Sequence, residues 1–283
     1  MTGIIDIGSN TIRLVMYDRG KQVSNTGLNS EIINDTKDGV LTSEGTEKLC
    51  DIISFFKEKA GDNEIFAFAT FAFRVLKNGE EVKKTIFERT GVLIDILSGE
   101  DEAKYDFYGL MSTLCENESG IGVDLGGGSG QVFSFSDGNI EFFSSYPIGC
   151  RKVKNKFVKE KLPTSEEKIK IEQYIEEKLS GFDKKCKKLY MMGGTAKTAA
   201  KLYSFLNGSE NIDIIRTDKL QSLITFIEET PQRVMKNILK NRYDSMAVGI
   251  IIMEALARHT GAEEIHIKKC GVRDGYLIKK TKL

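Results

Sequence analysis

Ile121-Gly122-Val123-Asp124-Leu125-Gly126-Gly127-Gly128-Ser129 is the stretch whose reading decides the fold. A short apolar run bounded by glycines reads as a buried strand, and Asp124 sits where that strand would end. Three successive glycines let the backbone turn tightly and approach a ligand with no Cβ in the way. Their N–H groups can converge on an anion, as in a phosphate-cradling nest. An aspartate beside such a turn can hold Mg²⁺, directly or through water. Asp-Gly after a strand also marks ordinary turns, so one copy would decide little. The N-terminus carries a second, Ile4-Ile5-Asp6-Ile7-Gly8-Ser9, with the same order of apolar residue, Asp, apolar residue, Gly. Two such turns predict two related halves that face each other across one phosphate site. Asp6 and Asp124 become its candidate metal ligands.

Outward from these turns, the bulk composition sets limits. A chain of 283 residues allows about two domains. Hydrophobic residues make up 40% and charged residues 29%, enough to build an ordinary globular core. Lys+Arg and Asp+Glu are both 41, so attraction for a polyanion must come from local patches. The chain opens on a strand pattern without a basic leader, and the apolar run near 247–257 is too short to span a bilayer. Cys50, Cys115, Cys150, Cys186 and Cys270 are scattered, with no CxxC pair. That pattern predicts reduced thiols in the cytoplasm rather than a disulfide scaffold or a zinc site. With only His259 and His266, a Ser–His triad is not expected. No Walker A or GxGxxG motif occurs, against a P-loop NTPase and a dinucleotide fold.

In chain order, strands are expected at 3–7, 11–17 and 22–33, a helix at 43–59 and a strand at 65–69. A loop at 70–74 then carries Arg74. A helix at 78–89 and a strand at 92–97 follow. Ser98 is placed to cap the next helix, expected to run to about 114, with Asp101 three residues on. Glu102 lies in that helix's opening, where carboxylates complement the macrodipole whether or not they do chemistry. Strands at 122–125, 131–136 and 140–146 repeat the opening order, with Asp137-Gly138 as a hairpin turn. The stretch from 151 to 161 is basic and helical, which suits either a solvated face or a polyanion-binding edge. A strand from 187 ends at Gly193-Gly194-Thr195, and a helix is expected from 196, with Lys197 in its first turn. That geometry points helix N–H groups at an anion. Helices broken near Pro231, a buried helix at 244–259, a strand at 264–268 and a final helix at 271–280 complete the chain.

As an ordered set, these motifs resemble the exopolyphosphatase / guanosine pentaphosphate phosphohydrolase family, a branch of the actin–Hsp70–sugar kinase superfold. The matching residues are Ile5-Asp6-Ile7-Gly8-Ser9-Asn10, Ala69-Thr70 with Arg74 and Asn78-Gly79, and Ile96-Leu97-Ser98-Gly99-Glu100-Asp101-Glu102-Ala103. They continue in Val123-Asp124-Leu125-Gly126-Gly127-Gly128-Ser129, Pro147-Ile148-Gly149, Gly193-Gly194-Thr195, Arg242 with Gly249, and Gly271-Val272-Arg273-Asp274-Gly275. The resemblance implies an α/β fold of two ribonuclease-H-like domains with an interdomain cleft. Domain I is expected over 1–117, with 272–283 packing back on it, and domain II over 118–271. It also implies Glu102 as the catalytic base and Asp124 as a Mg²⁺ ligand. Ser9, Asn10 and the glycines 126 to 128, continuing into Ser129, would form phosphate-binding backbone, and Arg74 and Lys197 phosphate-binding side chains.

The implied activity is release of terminal orthophosphate from inorganic polyphosphate by Mg²⁺-assisted attack of water. A guanosine pentaphosphate phosphohydrolase and a catalytically impaired polyphosphate or alarmone sensor share the same motifs. No nucleic acid or membrane partner is expected, and homodimerisation is left open. Two departures stand out. Ser129-Gly130-Gln131 replaces the family's Ser-Thr-Glu, and Asp35 stands near Asp38-Gly39 where the family often has a basic residue. The chain also resembles a short form, without the helical domains of longer members.

Overall fold

A computed structural model describes residues 1–8, 11–29, 32, 34–115 and 118–281. The expected phosphate ligands Ser9 and Asn10 lie outside these residues. Strands β1 (Thr2–Ile7), β2 (Thr11–Asp18) and β3 (Lys21–Asn29) form an antiparallel meander. A small hairpin, β4 (Thr36–Lys37) and β5 (Val40–Leu41), leads to α1 (Ser43–Ala60). Thr42 caps α1 by accepting from Gly45 N–H at 3.1 Å, and Leu49, Ile53 and Phe56 bury one face of it. Then come β6 (Glu64–Ala69), the short α2 (Phe71–Arg74), α3 (Gly79–Thr90) and β7 (Ile94–Ile96). The sheet order is β3-β2-β1-β6-β7, with β6 and β7 parallel to β1.

After α4 (Gly99–Met111), the pattern repeats. A second meander, β8 (Gly120–Leu125), β9 (Gly130–Ser136) and β10 (Asn139–Tyr146), turns at Asp137 and Gly138, both at positive φ as the hairpin requires. Helices α5 (Cys150–Phe157) and α6 (Ser165–Lys178) follow, then β11 (Lys188–Met192), α7 (Gly193–Leu206) and β12 (Ile214–Arg216). The chain ends with α8 (Leu220–Glu229), α9 (Gln232–Leu239), the buried α10 (Tyr243–Thr260), β13 (Glu264–Ile267) and α11 (Val272–Thr281). The second sheet runs β10-β9-β8-β11-β13-β12. Its first five positions reproduce the first sheet, so the duplication read from the two Asp–Gly turns extends to whole sheets. Even the burial along β1 and β8 matches, with only the first residue and the aspartate partly exposed.

The chain divides into two compact units, Met1–Glu102 with Arg273–Leu283, and Ala103–Val272. The expected boundary at 117 thus falls at Glu102 instead. Beyond Glu102, α4 buries Phe107 and Leu110 in a cluster with Phe133, Phe135 and Tyr190, so its apolar face is committed to the second unit. The C-terminal helix groups with the first unit, where the Tyr276 ring lies 4.8 Å from that of Phe68. Among the described residues, no helix is long and apolar enough to cross a membrane.

Candidate active site

The glycine turn of the second unit is held from behind. Gly126 N–H donates to Ser129 C=O at 3.0 Å, closing the link between β8 and β9. The first unit has the same bond, from Gly8 N–H to Thr11 C=O at 3.1 Å. At the start of α5, Cys150 N–H donates to Gly126 C=O, and Arg151 and Lys152 N–H both donate to Gly127 C=O, each at 3.0 Å. Across a trans peptide the carbonyl and the next N–H point in opposite directions. The N–H groups of Gly127 and Gly128 therefore face away from α5, as a nest for an anion requires. A Cβ on Gly149 would overlap the backbone of Gly127 and Gly128, so only glycine lets α5 approach this closely.

Cys150 ties this turn to α7. Its thiol donates to Gly126 C=O at 3.2 Å and lies 3.0 Å from Thr195 Oγ1. Burial pushes the thiol above its ordinary pKa, although the Thr195 hydrogen bond pulls the other way. Ser129 is buried, and its hydroxyl accepts from Gln131 Nε2 at 2.9 Å. Gln131 also donates to Ser145 Oγ at 3.2 Å.

Asp124 is the penultimate residue of β8, paired in register with Gln131 of β9 and Met192 of β11. One carboxylate oxygen abuts Gly193, which has φ +81°. The other lies 3.8 Å from where a Cβ of Gly271 would stand, and Asp106 Oδ1 lies 3.7 Å from the same point. Asp106 is 1% exposed. Sequence reading did not nominate it, because one aspartate among helical aromatic residues gives no sign that it turns inward. The hard carboxylate oxygens of Asp124 and Asp106 suit Mg²⁺, which takes one or two protein carboxylates and completes its shell with water and phosphate oxygens. Among the described residues no cluster of three or more acidic, His or Cys side chains is placed to hold a metal.

Helix α7 begins at Gly193, not 196, so Lys197 falls in its second turn. Lys197 is half-buried and makes no ion pair among the described residues. The cation at the helix start is Arg242, whose guanidinium would collide with a Cβ on Gly194. The cap residue Met192 supplies no side-chain bond.

In the first unit, Asp6 is the penultimate residue of β1, opposite Arg13 of β2 and Phe68 of β6. Its Oδ2 lies 3.7 Å from Arg273 Nε, and Arg273 Nη1 is buried with no acceptor among the described residues. Arg74 lies at the end of α2 rather than in a loop, because the chain after Thr70 closes one helical turn. Its Nη1 donates to Leu97 C=O at 2.8 Å and to the Glu102 carboxylate. Glu102 is 8% exposed, and its own N–H donates to Ser98 C=O at 3.0 Å. Ser98 and Asp101 form the expected reciprocal cap, with Asp101 N–H to Ser98 Oγ at 3.0 Å and Ser98 Oγ to Asp101 Oδ2 at 2.7 Å. The expected phosphate ligand Arg74 and the expected base Glu102 are thus one ion pair.

The model of the Ppx/GppA phosphatase family matches residues 20–283. The chain belongs to that family. It is therefore a phosphatase-type hydrolase by descent. Exopolyphosphatase 1 of Mycobacterium tuberculosis is 25% identical, over 98% of this chain and 87% of that protein. The Ppx/GppA family member of Aquifex aeolicus superposes with a TM-score of 0.87 at 22% identity, covering 99% of this chain and 97% of that one. An exopolyphosphatase from Cytophaga hutchinsonii gives 0.85 at 18% identity, with the same coverage. At these identities the two structures show the fold, and it is the α/β fold expected from the motifs.

Proposed function

We propose that this Ppx/GppA chain hydrolyses the terminal phosphoanhydride of inorganic polyphosphate, releasing orthophosphate by direct attack of water. The observation that carries the proposal is the nearly buried Glu102 carboxylate, held by Arg74 at the start of α4. A carboxylate held by a guanidinium in a defined position is a candidate base that can orient and deprotonate water. The Gly127 and Gly128 N–H groups would bind the terminal phosphate, and Arg242 and Lys197 would add cationic charge at the neighbouring helix start. Arg74 would serve the phosphate as well as Glu102. Asp124, with Asp106 beside it, would hold Mg²⁺, which when bound neutralises phosphate oxygens. Asp6 is the equivalent aspartate of the first unit. No nucleophilic side chain is required, since phosphoryl transfer depends mainly on positioning and charge stabilisation.

Gln131 favours a second reading, in which the chain binds polyphosphate or a guanosine polyphosphate without efficient turnover. It puts a neutral amide directly across the strand pair from Asp124. Phosphate release from polyphosphate, guanosine pentaphosphate and ATP, with and without Mg²⁺, separates the readings. We expect Mg²⁺-dependent release, fastest from polyphosphate. Tight binding without release from any of the three would leave the sensor, and preference for the guanosine nucleotide would replace the substrate.

A further inference from the structure

Between residues 151 and 161 the chain carries six cationic side chains and one carboxylate, Glu160. Arg151, Lys154, Lys156, Lys159 and Lys161 make no ion pair among the described residues. Other helical lysines nearby are paired, such as Lys170 with Glu166 at 2.6 Å and Lys178 with Glu177 at 2.7 Å. The acids of α6 are committed elsewhere. Glu167 accepts from the N–H groups of Thr164 at 2.9 Å and Lys159 at 3.2 Å, and Glu172 pairs with Arg258 at 3.3 Å. The basic edge starts at the glycine turn, because the Arg151 side chain runs along Gly127, with Cδ 3.7 Å from where a Cβ would stand. It continues along the exposed side of α5 to Lys156, whose ammonium sits 4.2 Å above the Tyr174 ring, and then to Lys159 and Lys161. Helix α5 alone covers about 12 Å, the length of several linked phosphates.

We infer that this edge is a track for the body of a linear polyphosphate whose terminal residue occupies the glycine turn, so that Lys156, Lys159 and Lys161 select long chains over short ones. The inference rests on the proposed hydrolysis at that turn. Unpaired like charges along one edge repel one another, and a flexible polyanion relieves that repulsion without any base or sugar to read. The short phosphate chain of a nucleotide would end near Arg151 and gain nothing from the distal lysines.

The test uses the full chain and the triple variant Lys156→Gln, Lys159→Gln, Lys161→Gln. The ratio of kcat/KM for long-chain polyphosphate to that for tripolyphosphate should fall about tenfold in the variant, through KM, since each exposed charge contact contributes modestly. The fall should shrink as salt rises. An unchanged ratio overturns the track. If wild type hydrolyses neither substrate, the hydrolytic reading fails, and titration of long-chain polyphosphate against both proteins decides the track by itself. Weaker binding by the variant then supports it, and equal or absent binding overturns it. Single-stranded RNA that binds as tightly as polyphosphate, with the same dependence on these lysines, also overturns it.

Discussion

Arg74 divides one guanidinium between the Leu97 carbonyl and the Glu102 carboxylate. Removing it leaves a mostly buried carboxylate without its cation, so Arg74→Ala should lower kcat as well as raise KM, and cost about 1–3 kcal/mol of stability. Lysine keeps the charge but not the planar fork, so Arg74→Lys should recover only part of the loss. A raised KM with wild-type kcat in Arg74→Ala would mean that the arginine serves phosphate alone. Gln131 is a sharper case, because it is buried between the hydroxyls of Ser129 and Ser145, both of which can turn to donate. Gln131→Glu should therefore fold, place a second negative charge opposite Asp124 and shift the Mg²⁺ titration of activity. Coincident titrations would put position 131 outside the metal's reach. Asp6 and Asp124 were legible as candidates because each sits near a strand end marked by glycine, whereas Glu102 took its role from the family resemblance, its place in a first helical turn being equally that of a dipole partner. Asp106 was not nominated, and Arg242 was matched to the family without a role, since only tertiary packing brings them to Gly271 and Gly194.

Helix α10 is buried on nearly all sides, and Gly249 in it makes room for Thr195, the residue that meets the Cys150 thiol. Alanine in place of glycine usually stabilises a helix by about 1 kcal/mol. Here its Cβ would stand 2.6 Å from Thr195 Cγ2. Gly249→Ala should instead lower the melting temperature, by an overpacking cost of about 1–3 kcal/mol. A higher melting temperature would show that Thr195 yields freely. Helix α11 is latched by Asp95 of β7, which accepts from Tyr276 Oη and Lys280 Nζ, both at 2.7 Å. Burial alone would raise the Asp95 pKa, but these two bonds and the Lys280 charge outweigh it and hold the carboxyl below its ordinary value. The latch therefore contributes fully above the ordinary carboxylate pKa and is lost as pH falls through the lower folded value. Asp95→Asn should flatten the acid limb of the stability curve, and superimposable curves would rule the latch out. Elements with a strong period, such as α1 and the two meanders, were legible in the sequence. The three-residue β12 was missed because it is too short for alternation to register. The loop expected at 70–74 closes into α2 because no strong helix signal is needed for a single turn.

Across the whole molecule, duplication was the most legible feature. Two Asp–Gly turns announced two sheets with the same order and the same closing hydrogen bond. The boundary between the units was not, since α4 reads as one helix while the division falls inside it, between Glu102 and Ala103. The proposed reaction takes its base, Glu102, from the first unit. Its central claim is that Glu102 activates water. Glutamine keeps the size and much of the hydrogen bonding but removes the basicity. The most direct measurement is therefore kcat for phosphate release from polyphosphate by Glu102→Gln, with polyphosphate binding and melting temperature taken on the same preparation. The account predicts a fall in kcat of roughly 10²–10⁴-fold, with binding retained or slightly tighter and the fold intact. A Glu102→Gln protein that binds and turns over polyphosphate at the wild-type rate would contradict it.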